Sequence, residues 1–273
     1  DTTVVVVSAF GGITDILLQC SQLAAEGHET YKEKLHEAEL RHLNTVKELI
    51  TITQQSAVLS LVKTLCNEIE DICTGIFLLK ELSERTKDRI VSYGEILSSK
   101  IITAKLNTDE IECEWVNSTQ LITTNANYSA AVVDFAVTNK KIANHFKTIN
   151  SRLFMMPGFI ASDTNGVNTT LGRGGSDYTA AIVAAALNVK VLEIWTDVSG
   201  MMTADPRLVT NAKIIPQISY QEAMELSHFG AKVIYPPTIQ PVRGKGISTW
   251  IKNTFAPEDA GTVIQKESDN NGN

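Results

Sequence analysis

The chain has 273 residues, 43% of them hydrophobic and 20% charged, with a formal net charge of −7. These are ordinary values for a soluble globular protein of one large α/β domain or two small ones, and the acidic balance argues against a nucleic-acid or membrane-surface partner. The longest uninterrupted apolar stretch, Ala180 to Leu187, is too short to span a bilayer, and no signal peptide precedes the first apolar run.

In chain order, Val4 to Val7 is a β-branched run that predicts a parallel strand buried on both faces. Because the run stands almost at the first residue, the chain reads as starting inside a fold. SAFGGIT follows as a turn, with Thr14 expected to cap a helix that begins near Asp15. Residues 31 to 50 are charged and helical. A heptad-like stripe then runs through Val58, Val62, Leu65, Ile69, Ile72, Ile76 and Leu79, with Cys66 and Cys73 beside it as packing residues, and predicts a helix packed along another helix. A further helix is expected from about Glu84 to Leu106, so that residues from about 15 to 106 form a helical lobe. Strands are expected at Ile111 to Val116 and Phe154 to Ser162, with a short helix near Asn139 to Phe146 between them. Lys190 to Asp197 predicts a strand ending in a hydroxyl and a carboxylate. Ser219 and Glu222 form an S-x-x-E capping box for a helix to about His228. A pair of strands, Ile247 to Lys252 and Thr262 to Ile264, ends the core, and residues 266–273 read as a polar tail. The four scattered cysteines, Cys20, Cys66, Cys73 and Cys113, lack C-x-x-C or ligand-like histidine spacing and read as reduced thiols of a cytoplasmic protein. No protein metal site is expected.

The segment with most chemistry is TLGRGGSDYTAAIVAAAL, Thr170 to Leu187, a glycine-rich loop running into an apolar helix. Gly172, Gly174 and Gly175 let the backbone turn sharply and approach a ligand. Ser176 and Asp177 stand where a helix start needs side-chain acceptors. The free N–H groups of a helix N-terminus suit phosphate or carboxylate, and Arg173 adds a planar, permanently charged fork for an oxyanion. With the strand to Asp197 behind it, this is an αβ unit whose polar residues gather at strand ends, where open α/β sheets bind ligands. Strands alternating with helices predict a mostly parallel sheet covered on both faces.

Five motifs occur in order: VVSAFGGITD (Val6 to Asp15), SYGE (Ser92 to Glu95), TLGRGGSD (Thr170 to Asp177), TDVSGMMTADPR (Thr196 to Arg207) and FGAKVIYP (Phe229 to Pro236). In this order they resemble the aspartokinase branch of the amino-acid kinase family, over nearly the whole chain apart from the helical lobe and the tail. The resemblance implies a three-layer α/β/α sandwich with a mostly parallel central sheet, forming one catalytic domain over residues 1–265. It also implies transfer of a phosphoryl group from ATP to L-aspartate, giving ADP and 4-phospho-L-aspartate, with Mg²⁺ bound through the ATP phosphates. It implies catalytic roles for Ser8, near the phosphate and the substrate carboxyl, for Arg173, and for Asp177, which organises cationic groups rather than acting as a strong base. It implies substrate contacts from Thr14, from Glu95 to the α-amino group, from Arg173 to the α-carboxylate, and from Gly174 and Ser176. Nucleotide contacts would come from Thr196, Asp197, Met202 and Val233, with Arg207 and Lys232 on the phosphates. A homo-oligomer is implied, with ACT regulatory domains and a homoserine dehydrogenase domain in a larger parent.

Two departures from the family pattern stand out. The family opens with a K-F-G-G-T loop whose lysine bridges the phosphates; here Phe10-Gly11-Gly12 belongs to the later VSA motif and Ala9 precedes it. The chain is therefore expected to be impaired as a fragment. Met202 stands where tyrosine is common in TDVxGxY, replacing ring stacking on adenine by thioether packing. The rival readings are another acyl-phosphate kinase of the same fold, or a catalytically dead nucleotide-binding or regulatory domain.

Overall fold

The structure, a computed structural model, describes residues 2–149, 151–204, 208–229 (of 228 and 229 the backbone only) and 233–267. The chain divides into two compact units, Asp1–Gly172 and Arg173–Asn273. The expected contacts Arg207 and Lys232 and the tail from 268 onward lie outside the described residues. Among those described, no helix is long and apolar enough to cross a membrane.

The first unit opens with β1 (Thr3–Val7), whose valines pair in parallel with β4 (Leu153–Pro157), itself parallel to β2 (Glu114–Trp115). Among the described residues β1 pairs with β4 alone, at the edge of the order β1-β4-β2, and Val4–Val7 are half-buried, not enclosed on both faces as expected. Four long helices follow: α1 (Ile13–Ala25), α2 (Tyr31–Leu49), α3 (Gln55–Leu79) and α4 (Glu84–Thr108). The first begins two residues earlier than expected, and Gly12, at φ 82°, stands at its N-cap. Thr14 therefore lies inside the first turn and caps nothing. The Phe10 carbonyl accepts from Ile13 N (2.9 Å) and turns the chain instead.

The helices pack around one shared core. On α3 the buried face is Val58, Val62, Cys66, Ile69, Cys73 and Ile76, while Leu79 is 77% exposed. The two cysteines thus take the centre of the stripe where Leu65 and Ile72 were expected. The reason is that α3 packs on α1, α2 and α4 together, a wider face than a two-helix seam. Burial pushes the Cys20, Cys66 and Cys73 thiols up to about 12, so they are unreactive packing groups.

The expected strand at Ile111–Val116 shortens to β2, because Ile111 N closes the end of α4 on the Leu106 carbonyl (2.9 Å). After α5 (Ser118–Leu121) and β3 (Thr123–Thr124), the short expected helix becomes α6 (Phe135–Thr148), capped by the Asp134 carboxylate on Val137 N (3.0 Å). The single strand expected over Phe154–Ser162 is two. β4 ends at Pro157, Phe159 takes φ 66°, and β5 (Ile160–Asp163) joins a different sheet, β3-β5-β6, with β6 at Asn168–Thr170. The break falls at Pro157-Gly158, a turn signal between two apolar halves that are both buried.

In the second unit α7 (Gly175–Leu187) is followed by β7 (Val191–Thr196), β8 (Gln217–Ser219), α8 (Tyr220–Phe229), a 3₁₀ turn (Pro236–Ile239), α9 (Gln240–Arg243), β9 (Ser248–Asn253) and β10 (Thr262–Gln265). The sheet order is β7-β9-β10-β8, with β9 and β10 antiparallel and the other neighbours parallel. The capping box forms as expected: Ser219 N donates to Glu222 Oε2 (2.8 Å) and Glu222 N to Ser219 Oγ (3.2 Å). The α/β class and the prevalence of parallel pairing are as expected.

The corrected α3 stripe makes a simple contrast. Ile69→Ala should lower the urea unfolding free energy by about 2–5 kcal/mol. Leu79→Ala should change it by less than about 0.5 kcal/mol, although both positions belong to the same sequence stripe.

Candidate active site

In the first unit the candidate residues meet where α4 passes the loop after β1. Gly94 makes the approach possible: a Cβ there would stand 2.9 Å from Ala9 Cβ and 3.5 Å from Ile13 Cγ2. The next residue, Glu95, is 4% exposed, and its Oε1 accepts from Ala9 N (3.3 Å). Its Oε2 is buried with no hydrogen-bond partner. Burial pushes the Glu95 carboxyl up to about 7, only partly offset by the Ala9 N–H. One turn on, Ser98 Oγ donates to the Ser8 carbonyl (2.7 Å). The Ser8–Ala9 peptide is thus bonded to α4 through both its carbonyl and its N–H, with Ser8 exposed and Thr14 half-buried. Phe10 stacks on His42 of α2, with ring centroids 5.1 Å apart. His42 Nδ1 lies 2.7 Å from the Ala38 carbonyl, and burial lowers its pKa.

A second buried carboxylate on the same helix was not anticipated. Asp88, 1% exposed, accepts at Oδ2 from Ser129 N (2.9 Å) and Thr170 N (2.9 Å), and at Oδ1 from Thr170 Oγ1 (2.9 Å) and Ser129 Oγ (3.4 Å). These bonds tie α4 to the chain at 129 and to the end of β6, where the glycine loop begins. Gly172, at φ 72°, passes so close that a Cβ would meet the Ser129 carbonyl at 3.3 Å. An aspartate early in a charged helix looks solvated from sequence; the signal that could have found it is the polar pair Asp88 and Ser92 flanking the apolar Ile90 and Val91.

In the second unit the glycine loop delivers Arg173, exposed, to the start of α7. Gly174 precedes the helix at φ 68°, and a Cβ there would stand 2.8 Å from Tyr235 Cβ and 3.1 Å from Thr238 Cγ2. No side chain caps α7. Ser176 and Asp177 lie in its first turn, not at the N-cap expected for them, because glycine in a left-handed conformation occupies that position. Their side chains are therefore not consumed by the helix start, and the turn's own N–H groups remain available to an anion. Burial pushes the Asp177 carboxyl up to about 6.

From Leu187 the chain turns at Asn188 (φ 50°) and runs back along α7 as β7. Helix and strand are of similar length, ~20 Å at 1.5 and 3.3 Å per residue. Thr196 therefore comes to the same end of the unit as Gly175. Thr196 Oγ1 donates to Asp197 Oδ1 (3.1 Å), and its carbonyl accepts from Thr254 N (2.8 Å). Gly200 at φ 130° allows the TDVSG turn to fold onto Thr262, whose Oγ1 accepts from Met201 N (2.8 Å). Met202 forms an isolated bridge with Ile214 and is half-buried, as is Val233. Among the described residues no group of three or more His, Cys, Asp or Glu side chains is arranged to hold a metal ion.

Comparison with known proteins agrees with these motifs. A family model described as the amino acid kinase family matches residues 2–253. The chain is 37% identical over 273 residues to the bifunctional aspartokinase/homoserine dehydrogenase of Buchnera aphidicola, covering 98% of this chain and 33% of that protein. It is 32% identical to the lysine-sensitive aspartokinase 3 of Escherichia coli, covering 97% of this chain and 58% of that one. Its structure superposes on E. coli aspartokinase III in complex with aspartate and ADP with a TM-score of 0.90, 32% identity and 98% of this chain covered, against 58% of the other. The chain thus spans about a third of the bifunctional Buchnera relative and over half of the E. coli enzyme. The matched span, the glycine-loop helix start and the parallel-rich α/β pairing together assign the chain to the amino acid kinase family.

Proposed function

We propose that this chain is the catalytic part of an aspartate kinase, transferring the γ-phosphoryl group of ATP to the β-carboxylate of L-aspartate to give ADP and 4-phospho-L-aspartate. The observation that carries the reading is the buried Glu95 carboxylate with one oxygen bonded to Ala9 N and the other without a partner. A buried acceptor left unpaired is costly unless a ligand completes it, and an α-ammonium group supplies both the donors and the charge. Arg173 supplies a fork for the α-carboxylate that a lysine would not reproduce. Thr14, Gly174 and Ser176 complete acceptor binding, and Ser8 lies beside the transferred phosphate. The acceptor carboxylate is ionised near neutral pH and needs no base. Asp177 accordingly orders cationic groups, and the residues mainly position the reactants in line and neutralise charge.

On the nucleotide side, Thr196, Asp197, Met202 and Val233 hold the nucleoside, and Arg207 and Lys232 the phosphates. Mg²⁺ would arrive on the ATP phosphates, where it neutralises charge. The parent protein is read as a homo-oligomer in a reducing, cytoplasmic setting, with ACT regulatory and homoserine dehydrogenase domains, serving lysine, threonine and methionine synthesis.

In the full-length protein, Arg173→Lys should raise the aspartate KM about tenfold or more while the ATP KM moves by less than about twofold; equal changes would refute the carboxylate role. Glu95 makes a second case. Only its ionised form pairs with an ammonium group, so kcat/KM for aspartate should climb about tenfold between pH 6 and 8, around the raised value of about 7. Glu95→Gln should lower kcat/KM and flatten that limb. The same raised pKa has a stability consequence. Between the ordinary 4.5 and about 7 the native state binds more protons than the unfolded chain, so stability is lost as pH rises through that window. Glu95→Gln should therefore match the wild type near pH 4 and exceed it by ~1–3 kcal/mol at pH 8, read by urea unfolding at the two pH values.

A further inference from the structure

Asp88 lies seven residues, two helical turns, before Glu95 on α4, so both carboxylates project from closely related faces of one helix. Their hydrogen bonding differs. Each Asp88 oxygen is bonded, and its partners come from segments 41 and 82 residues away. The carboxylate bridges two backbone N–H groups, at Ser129 and Thr170, and the Thr170 hydroxyl. A buried carboxylate accepting from two backbone amides is a strong and directional clamp. What it clamps is specific. Thr170 is the last residue of β6, and Leu171 and Gly172 lead from it directly to Arg173. Ser129, the other clamped residue, has φ 69°, and its carbonyl is the atom against which Gly172 turns. The carboxylate therefore holds both the chain entering the glycine turn and the surface that the turn packs on.

We propose that Asp88 is a positioning residue for acceptor recognition: by holding Thr170 and Ser129 to α4, it sets the course of the Leu171–Gly172 turn that leads into Arg173, the residue proposed to pair with the acceptor's α-carboxylate. The inference rests on the proposed aspartate kinase reading. Asp88 touches no reactant; it acts through the backbone. Misplacing a recognition group by about 1 Å costs on the order of 10²-fold in rate, so a carboxylate remote from the chemistry can govern acceptor binding. The nucleotide contacts at Thr196 to Met202 are not held by this clamp, and its loss should leave them in place.

The test is steady-state kinetics on the full-length protein, with thermal melting run alongside. Asp88→Asn keeps the shape but turns an NH₂ toward donors at one oxygen. It should raise the aspartate KM about tenfold or more, with the ATP KM within about twofold of wild type. Thr170→Val deletes the hydroxyl bond and keeps the backbone one, so it should shift the aspartate KM in the same direction by about threefold, and it carries the test should Asp88→Asn fail to fold. The double variant should be no worse than Asp88→Asn alone to within about twofold, because the two changes remove one shared interaction. A lowered melting temperature with both KM values unchanged, or with both raised in parallel, would overturn the positioning role and leave the proposed function standing. Wild-type protein that releases no ADP in response to aspartate would overturn the proposed function instead.

Discussion

The first unit depends on α4 as a buried polar spine. An apolar helix could fill the same space, but it could not hold loops at fixed distances. Asp88, Glu95, Ser98 and Ser99 reach three separate segments: the 129 turn and β6 for Asp88, the Ser8–Ala9 peptide for Glu95 and Ser98, and the Trp115 indole for Ser99. Every one of these side chains is buried. Burying polar groups is costly, and the cost is recovered only when geometry satisfies them. The loops that meet α4 are therefore held in one arrangement, since any displacement would leave a donor or acceptor unpaired.

Two carboxylates on that spine illustrate two uses of burial. Asp88 is saturated by protein donors and holds the segments around it in place. Glu95 is half-satisfied, and its unpaired oxygen is an unfilled demand for a donor. A protein optimised for stability alone would not keep a carboxylate raised to about 7 in a buried position. Binding sites retain such costs because ligand binding relieves them. The second unit uses backbone in place of side chains. Gly174 stands at the N-cap of α7 in a left-handed conformation, so Ser176 and Asp177 do not cap the helix, and a helix start by its dipole attracts anions.

Much of the fold was legible from periodicity; glycine placement drew attention to Arg173, Gly174, Ser176 and Asp177, and the other candidate residues came from the resemblance of the short motifs to a family. The long helices, the Ser219–Glu222 capping box and the strand ending at Thr196 follow from local patterns and appear where expected. The strand over Phe154–Ser162 was drawn through Pro157-Gly158, where β4 ends and Phe159 at φ 66° passes the chain from one sheet to another. The α3 stripe was drawn for a two-helix seam, while α3 packs on several helices and centres its cysteines. Thr14, Ser176 and Asp177 resembled caps, and glycine took that place in both helices.

The sequence by itself determined the alternation of strands and helices, the positions of the glycine turns and the residue types offered to a ligand, because these depend on interactions within a few residues. Family membership was legible there too, since it resides in the order of short motifs. Only the tertiary structure decided which polar groups are satisfied. Asp88 reads as a solvated helix residue until the Thr170 amide, 82 residues away, is brought to it, and Glu95 reads as one more surface glutamate until Gly94 lets the Ala9 loop close over it. A hydrogen bond depends on distance and angle between atoms remote in the chain, and that information exists only once the backbone has closed.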